Sequence, residues 1–528
     1  MRHTALPAFA LLIAALLIVF LLASCGSLPE VQLPAARGFV AAELAALAPA
    51  DEYSYQIIDF ADARETRNGL ESGAARFESL TGSVGFKLGR RVAGPDAPPE
   101  GRFVGSTEHA RLLGTGSIRL SAPATVLGIH VVLPSEEVRR HLGMMSRTAA
   151  TLVVTGIDDT GRRTGNVRFS PATSTPATTR VADEWSWVDL SPLGAVARLD
   201  VSFESPLADP AVLLVDNLTI SADFRPAEGF FTVAVLPGVE VSTGAPSEPV
   251  REQIRFLATH GPRSDARILY VSHLGGMVVD GWDEEQWKTA DGALKLLDRT
   301  VPWGTALATG DLEDPEDPLL GAPFFQKYFG PERFEDTQSW GDAAEDGYSS
   351  YHLVDTPAGD LLFLHLAVDA PGSTLEWAQD VLDRHRGVPA VITTRAYLGG
   401  TERLIEPLLE PAPGEEWPAV SAEEVWTTLI RPNSQIFLVI SGPAPGEQSV
   451  FERVQLSRNR FEAPVIEMMV GMPGWAGAKD GFLRLLRFYP GRNEMRALTY
   501  SPFLDTYDVA RESHFTVPLD ISGRLGLD

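Results

Sequence analysis

The sequence predicts a multidomain chain: an N-terminal all-β domain of jelly-roll or β-sandwich type, then a C-terminal α/β domain of α+β sandwich character. Three observations lead there. Residues 51–224 alternate apolar and polar positions in short runs broken by Gly, Pro, Ser and Thr, the pattern of half-buried strands. From about residue 229 near-continuous apolar runs alternate with amphipathic stretches of helical period, as expected where sheets are covered on both faces. At 528 residues the chain is too long for a single hydrophobic core.

The N-terminus comes before either domain. Arg2 and His3 precede a long apolar run that ends in Leu22-Ala23-Ser24-Cys25, the layout of a secretory signal. Those four residues look like a bacterial lipobox. That resemblance implies cleavage before Cys25, lipid attachment at Cys25, and a chain anchored to a bacterial membrane, facing the periplasm or cell exterior. Leu6–Ala23 is also nearly long enough to serve as a transmembrane anchor; the position of Cys25 favours the lipobox. Residues 1–24 are therefore expected to be the signal peptide, and residues 25–50, rich in Ala and Pro, a tether. Cys25 is the chain's single cysteine, so no intrachain disulfide, cysteine-based zinc site or thiol catalysis is available.

Composition narrows the function classes. Hydrophobic content of 44% and charged content of 22% exclude a largely disordered chain. A net charge of −26 excludes nucleic acid or an anionic membrane surface as the main partner. It suits cationic partners, divalent cations or plain solubility, and solubility is the reading adopted here.

Within 51–224 the strands include "SIRLSAP", "TVLGIHVVL", "ARLDVSFES" and "AVLLVDNLTISAD". "DDTG" at 158–161 reads as the turn of a hairpin. The words "EWSWVDLSPLG" and "VDNLTI" resemble a family of secreted bacterial jelly-roll domains of unknown function. Asp59 and Asp216, near the first and last strands, are candidates for the structural calcium site of many jelly rolls, against the commoner reading of exposed aspartates. Trp185 and Trp187 alternate on one face, as sugar-stacking residues do, but a pair at the core edge is the preferred reading. His109, His130 and His141 are too scattered to form a ligand set.

In the second domain, 229–528, "FFTVAVLP", "ARILYVSHLG", "PWGTALATG", "DLLFLHLAV", "PAVITTRAY" and "QIFLVISG" read as strands. "SEPVREQIRFLATHG" and "DEEQWKTADGALKLLDR" read as helices, the second with Trp287, Ala290, Leu294 and Leu297 on one stripe. Further helices are expected at 373–385 and 421–430. The words "DEEQW", "YFGPERF", "YSSYHLV", "RPNSQIFLVISG", "LRLLRFYP" and "LTYSPFLDTY" resemble the secreted bacterial branch of the calcineurin-like metallophosphoesterase superfamily over about 300 residues.

That resemblance implies two metal ions bridged by a carboxylate and held at strand ends, with ligands in five motif blocks. Every block departs from the family pattern here. "LPGVEV" places Gly238 at a ligand aspartate and Glu240 at the following glutamine. "LGGMVVD" places Gly276 at the bridging aspartate. "TGDLED" places Asp311 at the asparagine and Leu312 at the catalytic histidine. "TTRAY" places Arg395 at a ligand histidine, and "SGPAPGE" places Pro443 and Pro445 at two more. Only Glu240 and Asp311 still carry a metal-ligating group. Arg395 adds a positive charge that it does not lose, disfavouring metal and able to neutralise Glu240 or Asp311.

The sequence thus predicts an envelope lipoprotein whose phosphoesterase-type domain has lost its metal ligands, with a binding or scaffolding role and no catalysis by the family's mechanism. Its expected partners are the membrane, through the lipid, and a small anionic, glycan or protein ligand; no cofactor is expected. The alternative is an active phosphoester hydrolase whose divalent metal site is rebuilt from Glu240, Asp311, Glu313, Asp280 or Glu447. The acidic run Asp311, Glu313, Asp314, Glu316 and Asp317 lacks EF-hand spacing and reads as a solvated loop rather than a calcium site. His273 and His365 read as hydrogen-bonded core residues, since neither falls on a ligand position.

Overall fold

The computed structural model describes most of residues 54–521. Outside the description lie 1–53, 80–86, 91–107, 133–150, 170–185, 205–211, 225–228, 400–401, 410–418, 445–451, 472–479, 511–512, 522–528 and the single positions 59, 61, 67, 68 and 243. The lipobox with Cys25, the tether, Asp59, Trp185, Pro445 and Glu447 therefore fall outside it. Among the described residues no helix is long and apolar enough to cross a membrane.

Among the described residues between Gln56 and Ser221 every major element is a strand. Alternation sets the core: in Thr151–Ile157 each second residue is buried, and Leu152 and Val154 join a cluster with Phe77, Val167, Leu199 and Val215. The expected turn forms at 158–162, where the Asp158 carboxylate accepts the Thr160 and Arg162 N–H groups at 2.9 and 2.8 Å. The structure corrects one strand division. "SIRLSAP" and "TVLGIHVVL" belong to a single strand, Gly116–Val132. Its first part pairs with Ala75–Ser79 and its last part with Val212–Ser221. Its register against Ala195–Glu204 breaks between Val196 and Arg198. Pro123 sits at that break. Proline cannot donate to a ladder, and here it falls where the ladder changes partner rather than where the strand ends. The first strand, Gln56–Ile58, pairs antiparallel with Val212–Ser221.

Beyond Phe231 the chain builds two sheets packed face to face. In one, Phe231–Leu236, Ile268–His273 and Trp303–Thr305 run parallel, and Leu483–Tyr489 and Glu494–Ser501 extend the sheet antiparallel. In the other, Gly359–His365, Ala390–Ala396, Ile436–Gly442 and Pro464–Val470 run parallel between antiparallel neighbours. The period-2 pattern distributes each strand between two cores. Phe231, Val233 and Val235 meet Phe363, Val391 and Ile440 between the sheets. Ala234 and Leu236 face outward onto the helices Glu248–Thr259 and Glu284–Leu294 through Val250, Ile254, Trp287 and Leu294. Leu362, Leu364 and Ile392 face the helix Gly372–Arg384 on the far side. The helix starts are capped: Ser247 accepts from the Val250 N–H and Asp283 from the Glu285 N–H. "PWGTALATG" is strand only over Trp303–Thr305. After Thr305 the chain turns away to form the loop that carries Asp311.

The two regions are joined by backbone. Thr506–Asp508 pairs parallel with Arg163–Phe169, and Val509 enters the first core. His514 Nε2 and Asp189 Oδ2 meet at 2.9 Å across the junction.

Candidate functional site

The carboxyl ends of five parallel strands from both sheets converge, which is where open α/β sheets place ligands. The loops after Phe231–Leu236 and Ile268–His273 bring Gly238, Glu240, Gly275 and Gly276. The loop after Trp303–Thr305 brings Asp311. Arg395 comes from Ala390–Ala396, and Gly442 and Pro443 from the end of Ile436–Gly442.

The guanidinium of Arg395 fills the centre. A Cβ placed on Gly238 would lie 3.2 Å from Arg395 Nη1, one on Gly276 3.5 Å, and one on Gly442 3.1 Å. The three positions without side chains are the ones the arginine covers. Gly238 has a second constraint, since its Cβ would also stand 3.0 Å from the Gly275 carbonyl oxygen. Gly275 and Gly276 both adopt left-handed backbone, with φ of 76° and 72°, so a side chain at either is strained. Arg395 is 6% exposed and pairs with Glu240, Nη2 to Oε1 at 3.3 Å. Burial pushes the Glu240 carboxyl up from its usual value, and Arg395 opposes that shift. Glu240 itself holds a positive φ of 41°, a strained conformation for a residue with a Cβ.

Asp311 is fully buried and serves the backbone. Its oxygens accept N–H groups from Gly276 at 2.8 Å, Met277 at 2.7 Å, Val278 at 3.4 Å and Ala308 at 3.0 Å. Burial raises its pKa while these donors hold it down. Leu312 packs into the apolar core under the helices. Asp280 accepts from Gln286 Nε2 at 2.9 Å. Asp216 is buried and accepts the Asn217 N–H.

A dinuclear metal centre does not fit these residues. The cation at the centre is a guanidinium, one remaining carboxylate is committed to it, and the other is consumed by four N–H donors. Among the described residues no group of three or more His, Asp or Glu side chains converges on a common point fit for a metal ion. The rebuilt site is likewise not assembled among the described residues: Glu240 turns to Arg395, Asp280 to Gln286 and Asp311 to backbone N–H groups.

A second polar group lies deeper, between the sheets. Tyr270 Oη and His365 Nε2 are 2.8 Å apart, and His352 stands edge-on to His365 with ring centroids 5.6 Å apart. His273 Nδ1 meets Thr305 Oγ1 at 3.0 Å and accepts the Gly275 N–H at 3.1 Å. All four side chains are fully buried. Sequence reasoning placed His273 and His365 in the core but overlooked His352 and Tyr270. In the first region, half-buried Trp187 lies over Gly128 and against His130, with ring centroids 5.0 Å apart.

The Arg395–Glu240 pair yields a stability prediction. Arg395→Met should lower unfolding free energy by roughly 3 kcal/mol, because it leaves a desolvated carboxylate without its counter-charge. Adding Glu240→Gln should recover most of that loss. A double-mutant cycle by urea denaturation checks both, and additive losses would refute the pairing.

No family model matches the chain. It is 22% identical over 317 residues to the uncharacterized protein YvnB of Bacillus subtilis, and these residues are 58% of this chain. The chain spans only about a quarter of that relative, 23% of its length. Among solved structures it is similar to a purple acid phosphatase from yellow lupin at 12% identity, covering 78% of this chain and 73% of that one, with a TM-score of 0.35. It is also similar to a DUF4465 family protein from Bacteroides caccae at 13% identity, covering 32% and 86%, with a TM-score of 0.21.

Proposed function

We propose that the chain is a lipid-anchored protein of the bacterial envelope. Its jelly-roll domain precedes a metallophosphoesterase-type domain that binds or scaffolds without the family's metal chemistry. The observation that carries this reading is the Arg395 guanidinium, set against Gly238, Gly276 and Gly442 and paired with Glu240. A metal pair needs convergent carboxylates and imidazoles around a free volume, and a fixed cation in that volume repels both ions. The lipobox words at Leu22–Cys25 support the anchor, and the family words of the second domain support the scaffold.

The test is metal content of the purified full chain, together with hydrolysis of p-nitrophenyl phosphate and its bis-ester after incubation with Mn²⁺, Fe²⁺ or Zn²⁺. The expected result is substoichiometric metal and no turnover above the uncatalysed rate. Two bound equivalents with metal-dependent turnover would overturn the proposal.

A further inference from the structure

Beside the cleft, Val279, Trp282, Leu319 and Leu320 are 52, 65, 50 and 52% exposed. They sit on two loops in direct contact. A Cβ on Gly281 would fall on the Leu312 carbonyl oxygen, and one on Gly310 would lie 3.5 Å from the Val278 carbonyl oxygen. The Glu313 N–H donates to the Gly321 carbonyl at 2.9 Å. Trp282 on one side and Leu320 on the other are thus each one residue from a neighbour of the same short segment, 312–313.

The platform is held rigid from beneath. Asp311 accepts the N–H groups of residues 276–278. Gln286 Oε1 accepts those of Val279 and Asp280 at 3.1 and 3.0 Å, and Trp287 Nε1 donates to the Gly281 carbonyl at 2.8 Å. Apolar anchors fixed before binding cost little ordering entropy when a partner arrives, which is what concentrates affinity in a few residues.

We propose that these loops form a docking surface for a basic protein segment with aromatic or aliphatic anchors. Charge complementarity selects this occupant. Residues 276–286 and 309–322 carry eight carboxylates besides Asp311 and no Lys, Arg or His. Glu284 and Glu285 are paired with Lys327 and Lys288. Glu313, Asp314, Glu316 and Asp317 have no cationic partner among the described residues. An anionic lipid surface or a nucleic acid would meet like charge here. A second copy joined about a two-fold axis would set the same acidic rims against each other. A segment that alternates Lys or Arg with Leu, Phe or Trp satisfies both the exposed apolar side chains and the unpaired carboxylates. The surface stands on the loops alone and requires neither the membrane anchor nor an inactive cleft.

Isothermal titration of the full chain with a short synthetic Leu/Lys/Trp amphipathic peptide tests this, with an oligolysine of equal charge and neutral phosphatidylcholine vesicles as competing probes. Binding of the amphipathic peptide is expected, weakened about tenfold or more by the pair Trp282→Ser, Leu320→Ser. It should also weaken with Asp314→Asn, Glu316→Gln, and be retained by Trp282→Phe. These side chains are exposed, so the variants should melt with the wild type. The proposal is overturned if the peptide does not bind, if it binds the serine pair as tightly as wild type, or if oligolysine binds equally well. Preferential binding of vesicles, or a dimer lost in the serine pair, overturns it too.

Discussion

Gly304→Ala is expected to cost about 4 kcal/mol, the sum of overpacking and a broken buried hydrogen bond. A methyl group there would stand 2.5 Å from Tyr270 Oη and 2.7 Å from both His352 Nε2 and His365 Nε2. Those three polar atoms close around a strand residue with no side chain, midway between the two sheets. None can retreat easily. Tyr270 is packed on Phe363 with ring centroids 4.3 Å apart, and His352 is walled by Phe334 and Trp340 at 5.7 and 5.3 Å. The methyl must break the Tyr270–His365 contact or push the sheets apart. The companion substitution Gly292→Ala should act in the opposite direction. Gly292 lies in the helix Glu284–Leu294 with open space where its Cβ would be, and alanine there should add up to about 1 kcal/mol of helix propensity. Thermal melts of the two variants should therefore move to opposite sides of the wild type, Gly304→Ala by roughly 10 °C downward. Similar shifts for both would show that the polar cluster does not constrain position 304.

Beyond Phe231 the strand and helix pattern was legible because each apolar strand is short and the helices Glu248–Thr259, Glu284–Leu294 and Gly372–Arg384 each bury a one-sided stripe. What periodicity could not show is how the strands divide among cores. Val233 and Ala234 are adjacent and both buried, yet they belong to opposite faces of one sheet. "SIRLSAP" and "TVLGIHVVL" read as two strands in a pattern broken by Gly, Pro, Ser and Thr, yet they form the single strand Gly116–Val132, since a proline can sit where a strand changes partner. At the site, the positions to which the resemblance points, Gly238, Gly276, Leu312 and Arg395, could be named one by one from the sequence. Their relation could not: sequence cannot show that one guanidinium covers three glycines. Nor can it show that both oxygens of Asp311 turn inward to backbone donors rather than outward to a ligand. Tyr270 and His365 are 95 residues apart, and no local pattern announces that they meet.

Acid should destabilise this protein steeply, and the buried histidines are the reason. Burial lowers His130 to about 4 and His273 and His352 to about 3, with Arg395 adding to the shift at His273. It also drives His365 well below the ordinary value, helped by His352 and His273. In each case the folded state holds a neutral ring and the unfolded chain takes a proton near pH 6.5. The stability these rings contribute is therefore complete above pH 6.5 and is lost as pH falls toward the folded value. By proton linkage each histidine gives up about 2 kcal/mol by pH 5. Asp508 works in the opposite sense. Burial next to Glu452 raises it to about 7, so its contribution is present at low pH and fades as pH rises through 7, offsetting about one histidine over the same interval. Glu240, Asp311 and Asp369, also raised by burial, act with Asp508. The histidine share is isolated by His352→Phe, which keeps an aromatic ring among Tyr270, Phe334 and Trp340 and leaves every carboxylate in place. Urea midpoints measured from pH 7.5 to 5 should fall less steeply in the variant. The two free-energy slopes should differ by about 1.4 kcal/mol per pH unit, the signature of one proton, below pH 6. Parallel slopes would mean that His352 takes up no proton on unfolding, and that a fully buried imidazole is already charged in the fold or stays neutral in the open chain.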